Sequence, residues 1–105
     1  MSIQQFIDNE VKSNDVVLFM KGTPDMPMCG FSGKATQILN HLGVPFKGIN
    51  VLDSDEVRQG IKEYTNWPTV PQLYVKGEFV GGSDIMMEMF QSGELKQLMT
   101  EKAVA

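Results

Sequence analysis

Val16-Val17-Leu18-Phe19-Met20 is an unbroken apolar run of β-forming residues bounded by polar ones. Such a run reads as a strand buried on both faces, at the centre of a sheet rather than along a wet edge. The flanking sequence carries helix and loop signals. Ser2 followed by Gln5 fits a capping box, and Ile3, Phe6, Ile7 and Val11 recur at helical spacing, predicting a helix over about 3–13. Beyond the run, Lys21 to Met28 holds two prolines and a glycine and must be a loop. Ala35, Ile38, Leu39 and Leu42 then form a helical stripe that stops at Gly43, with Pro45 beyond.

Phe46 to Val51 is a second strand candidate. Asp53 or Ser54 caps a third helix that carries Asp55 and Glu56 in its first turn and Val57, Ile61 and Tyr64 on one face, and Pro68 ends it. Gln72 to Lys76 reads as a strand, turned at Lys76-Gly77-Glu78 into a short partner at Phe79-Val80. Gly81-Gly82-Ser83-Asp84 opens a helix with Ile85, Met86, Met89 and Phe90 inward. Ser92-Gly93 breaks it before a last helix over 94–102 with Leu95, Leu98 and Met99. The order α-β-α-β-α-β-β-α-α, without linker or repeat, predicts one α/β domain over residues 1–105. His41 reads as a surface or helix-end residue, and Met20, Met86, Met87, Met89 and Met99 as core or near-core filler.

Charge and cysteine content narrow the function. Nine basic residues against thirteen acidic ones give a net charge of −4, which argues against broad affinity for nucleic acid or an anionic membrane. No apolar run approaches the ~20 residues of a membrane span, and the opening Met-Ser-Ile-Gln-Gln-Phe-Ile-Asp has neither the basic nor the apolar region of a signal peptide. Cys29 is the only cysteine, so no intrachain disulfide can form, and with the single His41 it cannot complete a four-ligand metal site. A reducing compartment such as the cytoplasm is expected, and a processed organellar protein would read the same way. Thiol or metal chemistry must borrow ligands from outside the chain.

Cys29 is placed for such chemistry. At or just before the first turn of a helix it meets unpaired N–H groups and the positive end of the dipole, which favour the thiolate. Lys21, at the exit of the first strand, can add a positive charge, and Gly30 leaves room for an incoming sulfur or metal. An isolated cysteine is most often an inert core residue. This one instead lies at a strand-to-helix turn, where open α/β sheets place ligand sites. Ser32 stands where a C-x-x-C motif would have its second thiol, so a two-cysteine cycle is closed to this chain. What remains is exchange with an external thiol, or a share in a metal centre.

Four motifs, Lys21-Gly22-Thr23-Pro24, Cys29-Gly30-Phe31-Ser32, Trp67-Pro68-Thr69-Val70-Pro71-Gln72 and Gly81-Gly82-Ser83-Asp84, stand in order over nearly the whole chain. Together they resemble the monothiol glutaredoxins of the Cys-Gly-Phe-Ser class. The resemblance implies a thioredoxin-like α/β fold, with a four-stranded mixed sheet, helices on both faces and a cis peptide before Pro71. It also implies a glutathione groove around Cys29. Lys21 and Arg58 would hold the glycine carboxylate, Arg58 as a bidentate fork. The Val70 main chain would pair with the ligand as a short added strand. The N–H groups of Gly82 and Ser83 would take the γ-glutamyl carboxylate and Asp84 would face its amine. Lys62, on the face of Arg58, can assist or stay solvated, and Phe31 can wall the site or pack at the core edge. Trp67 reads as packing for the third helix, and Met26 and Met28 as a possible partner surface. Many relatives carry a cysteine where this chain has Ser83, so the internal disulfide open to them is closed here.

Two mechanisms follow from the resemblance. In the first, the chain carries and delivers a [2Fe–2S] cluster. Such a cluster needs four ligands, so it would be bridged between Cys29 of two copies and two glutathiones. The homodimer would fall back to a monomer without the cluster. BolA-family proteins and iron–sulfur recipient apoproteins would be partners. In the second, the chain is a glutathione-dependent oxidoreductase that removes glutathione from proteins through a Cys29 mixed disulfide. The class leans toward the carrier, its oxidoreductase activity being typically poor. A plain adaptor that binds no glutathione is a third and weaker reading.

Overall fold

The computed structural model describes residues 2–104. Helix α1 (Ile3–Ser13) is started by the expected capping box: Gln5 N donates to Ser2 Oγ at 3.1 Å and Ser2 N to Gln5 Oε1 at 3.0 Å. Strand β1 (Val16–Met20) is buried at every position. It leads through the Lys21–Met28 loop into α2 (Gly30–Leu42), which ends at Gly43 in the left-handed conformation, φ 69°. Next come β2 (Lys47–Asn50), a 3-10 turn (Val51–Asp53) and α3 (Asp55–Thr65), for which Ser54 rather than Asp53 is the cap. The helix stops at left-handed Asn66, two residues before Pro68. The hairpin β3 (Gln72–Val75) and β4 (Glu78–Gly81) follows, then α4 (Ser83–Ser92) and α5 (Glu94–Glu101).

The strands lie in the order β2-β1-β3-β4, with β1 parallel to β2 and antiparallel to β3, and β3 antiparallel to β4. Side chains of β1 alternate between two separate cores, as the period of a strand requires. Val16, Leu18 and Met20 pack under α2, α4 and α5 with Ala35, Leu39, Met86, Leu95 and Met99. Val17 and Phe19 face α1 and α3 with Ile7, Val11, Val57, Ile61 and Tyr74. This is the mixed sheet covered on both faces that the resemblance implies, and the Val70–Pro71 peptide is cis.

The strand ends and one inward-facing residue differ from the sequence reading. Phe46 and Val51 fall outside β2, because Phe46 packs against the core beyond the ladder and Val51 starts the 3-10 turn. Lys76 leaves β3 for the turn at φ 51°, and β4 starts at Glu78 and extends through Gly81. Ile85 does not point into the core with Met86; it lies over Gly81 and borders a cavity.

Candidate functional site

The loop between β1 and α2 is held from three sides. Within it, Thr23 N donates to Met26 O at 3.1 Å, Met26 N to Thr23 O at 3.0 Å, and Met28 N to Lys21 O at 2.9 Å. From β2, the Asn50 Oδ1 accepts from Gly22 N at 2.9 Å. Pro24 lies against Gly48, where a Cβ would fall 2.6 Å from its Cγ. From α2, the fully buried Ser32 accepts from Lys21 N through its Oγ at 3.0 Å. Sequence reading took Ser32 only as the place of a missing thiol, and did not assign Asn50. Both act through partners 11 and 28 residues away, a separation no local pattern reveals.

Cys29 is the N-cap residue of α2, partly exposed, and closes no side-chain capping bond of ordinary geometry. Its thiol is held below the usual value, first by the Ser32 main-chain N–H, then by the Phe31 N–H, the Lys21 charge and the Ser32 hydroxyl, while partial burial works the other way. An acid whose pKa is lowered in the fold keeps its anion to lower pH, and the stabilisation is lost as pH falls through the depressed value. Alkylation of Cys29 by iodoacetamide is therefore expected to titrate with a midpoint below that of a free thiol, about 8.5. Ser32→Ala keeps the main-chain donor and removes the hydroxyl, so the midpoint should rise part of the way. A midpoint at or above the free-thiol value in the parent protein would contradict this electrostatic account.

Beside the sulfur lies a cavity of about 500 Å³. Every residue expected at the site borders it: Lys21, Cys29, Arg58, Val70, Gly82, Ser83 and Asp84. Lys62 and Phe31, left open by the sequence, border it as well. So does Trp67, which sequence reasoning placed only against the end of α3. Its main chain does close that helix, donating to Lys62 O at 3.1 Å, and its ring packs on Phe79 with centroids 5.6 Å apart. The indole Nε1 is buried without a hydrogen-bond partner among the described residues. A Cβ on Gly82 would lie 3.5 Å from that nitrogen and 3.3 Å from Pro71 O, so the glycine lets two cavity walls meet closely.

The charges of the cavity are unspent. Among the described residues, ion pairs engage Lys12, Lys47, Lys76 and Lys102. Lys21, Arg58 and Lys62, the cations of the cavity, have none. Asp84 is the one carboxylate among them. Helix α4 starts at Gly82 with no side-chain cap, which leaves first-turn N–H groups free for an anion. The Val70 main chain makes no hydrogen bond among the described residues. The arrangement can take an anionic, strand-like ligand carrying both a carboxylate and an amine, with its reactive group beside Cys29.

The glutaredoxin family pattern matches residues 16–80. The chain is 61% identical over 93 residues, covering 89% of this chain and 87% of the relative, to an uncharacterized monothiol glutaredoxin, ycf64-like, of Synechocystis. The chain belongs to the monothiol glutaredoxins of the Cys-Gly-Phe-Ser class. Its fold is thioredoxin-like. It superposes at a TM-score of 0.90 and 43% identity on the solution structure of a monomeric truncated mutant of 1-C-Grx1 from Trypanosoma brucei, over 100% of this chain and 94% of that one. A buckwheat glutaredoxin–glutathione complex superposes at a TM-score of 0.86 and 26% identity, over 97% of this chain and 91% of the other. In this glutaredoxin no helix among the described residues is long and apolar enough to cross a membrane.

Proposed function

We propose that this glutaredoxin binds glutathione beside Cys29 and carries a [2Fe–2S] cluster as cargo between two copies of itself. The observation that carries the reading is the single activated thiolate opening onto a cavity whose three cations have no internal partner. Glutathione has two carboxylates, one amine and one thiol, and the cavity offers a counterpart for each. Lys21 and Arg58, assisted by Lys62, take the glycine carboxylate. The Val70 main chain pairs with the cysteinyl unit. The N–H groups at Gly82 and Ser83 take the γ-glutamyl carboxylate, and Asp84 its amine. The buckwheat protein solved with glutathione, close in fold, supports the choice of ligand.

The donor set fits a shared cargo. No group of three His, Cys, Asp or Glu side chains that could hold a metal occurs among the described residues. One chain thus offers one sulfur, and two chains with two glutathiones offer the four that the cluster needs. Met26, Met28 and Phe31 stand exposed around Cys29, at 74%, 70% and 61%, an apolar rim that a second copy would cover. A BolA-family partner or a recipient apoprotein would approach by the same rim. Ligands that are not part of the chain can leave with the cluster, which suits delivery. A reducing compartment, such as the cytoplasm, keeps the thiols available.

A second reading rests on the lowered thiol pKa. The Cys29 thiolate would attack a glutathionylated protein, forming a Cys29–glutathione disulfide and releasing the protein thiolate. A second glutathione thiolate would then release Cys29 and leave as glutathione disulfide. Anaerobic reconstitution with iron, sulfide and glutathione, followed by absorption and size-exclusion chromatography, separates the two. The carrier gives a coloured dimer that reverts to a colourless monomer when glutathione is withdrawn. A colourless monomer throughout would leave thiol exchange as the function.

A further inference from the structure

Gln72 is a polar residue at the start of an otherwise apolar strand, and its side chain is fully buried. A primary amide has two donor and two acceptor positions, and each is costly to bury unpaired. Here both donors and one acceptor position have a partner of their own. Nε2 donates to the carbonyl oxygens of Trp67 and Thr69, both at 3.2 Å. Oε1 accepts from the Tyr74 hydroxyl at 3.0 Å, and Thr65 Oγ1 lies 3.5 Å away with its proton given to Ile61 O at 3.2 Å. The Tyr74 hydroxyl is pushed up to about 12 by burial, so it remains a donor across the neutral range. Gln72 itself is paired with Phe19 in the central strand β1.

The two donor bonds reach over the segment that walls the cavity. Trp67, Pro68, Thr69, Val70 and Pro71 all border it, and Gln72 does not. Two of these five are prolines without an N–H, and the Trp67 N–H is spent on α3. The segment therefore has few donors with which to brace itself. It lies between the end of α3 and β3, and the Gln72 amide is what joins its carbonyls to the sheet. With those carbonyls turned inward, the Val70 main chain is left unpaired at the cavity.

We infer that Gln72 is a positioning residue for ligand binding, which through its buried amide holds the Trp67–Val70 main chain in the shape that pairs with glutathione. The inference rests on the glutathione reading of the cavity, and it concerns a side chain that does not touch the ligand. An apolar replacement of similar size keeps the packing and frees the two carbonyls. Tyr74→Phe removes a bond to the same amide from the other side and leaves both bonds to the segment in place.

The test compares glutathione binding by calorimetry for the parent chain, Gln72→Met and Tyr74→Phe, each below its own unfolding temperature. Emission of Trp67, the only tryptophan, is recorded in parallel. Gln72→Met is expected to weaken binding about tenfold, the equivalent of one freed polar contact, and to shift the emission. Tyr74→Phe should bind within about twofold of the parent even if it melts earlier. Gln72→Met with parent-like affinity and emission overturns the inference, as does equal weakening in both variants. Should Gln72→Met fail to fold, the Gln72 side-chain amide is read by NMR in the parent chain. Slow exchange, with a shift on adding glutathione, supports the role; exchange as fast as that of an exposed glutamine overturns it. A parent chain that binds no glutathione refutes the proposed ligand instead, and Trp67 emission in the variants still reports whether Gln72 holds the segment.

Discussion

Cys29→Ser is expected to leave a folded protein that stays colourless and monomeric through reconstitution with iron, sulfide and glutathione. The residue is the chain's only cysteine, and a serine hydroxyl at neutral pH is neither the thiolate ligand nor the nucleophile that either proposed mechanism needs. The loss should be complete rather than partial, because two copies lose two of the four donors together. Stability should barely move, within about 0.5 kcal/mol, since the side chain is partly exposed and caps α2 without a closed hydrogen bond. Visible absorption and thermal melting, measured on one sample, check both halves. A variant that still assembled a normal cluster would refute the carrier reading.

Gly22→Ala should cost more stability than any other single change in the loop. Gly22 lies at φ +90°, and a Cβ there would fall 2.4 Å from Met26 O and 2.6 Å from Met28 N. Both are main-chain atoms and cannot swing aside. Backbone strain and overpacking together give an expected loss of about 3 kcal/mol. The route of relief is opening of the loop, which breaks the Met28–Lys21 bond and the tie from Gly22 to Asn50. Urea unfolding should show a lower midpoint, and the Cys29 alkylation midpoint should rise as Lys21 moves. Gly30→Ala is the control: a Cβ there meets nothing within 4 Å, so the fold should be undisturbed. A Gly22→Ala protein as stable as its parent would mean the loop is not braced as described.

What the sequence made legible follows a physical pattern. The run Val16–Met20 announced a strand covered on both sides, and its alternating residues indeed face two cores. Capping and helix-stop signals at Ser2, Gly43 and Ser54 were readable because they act within a turn. The cavity residues Arg58, Val70 and Gly82 were not readable by chemistry alone; Arg58 looks like any solvated helix residue and Gly82 like a plain turn. The family resemblance picked them out, and they do line one cavity. Trp67 closes α3 as expected, through its main chain, and its place beside the cavity was hidden because its ring packs on Phe79 of the hairpin. The hydroxyl of Ser32 and the amides of Asn50 and Gln72 went unassigned because their partners come from other elements. A Gln within the apolar run of β3 was the one available hint, since a buried amide demands partners somewhere.

The cavity is built from stretches near residues 21–31, 58–62, 67–71 and 82–85, which the sheet alone brings together. No fragment shorter than residues 21–85 owns every wall of that cavity. The acidity of the thiol is set within the turn from Lys21 to Ser32, whereas the cavity beside it exists only in the folded domain. A chain emerging from synthesis, or one that has lost its fold, carries a sulfur of ordinary acidity with no ligand beside it. Glutathione bound as proposed would further secure the folded chain by mass action. Cells thereby obtain a thiol that is armed by folding and disarmed by unfolding, without a second cysteine to guard it.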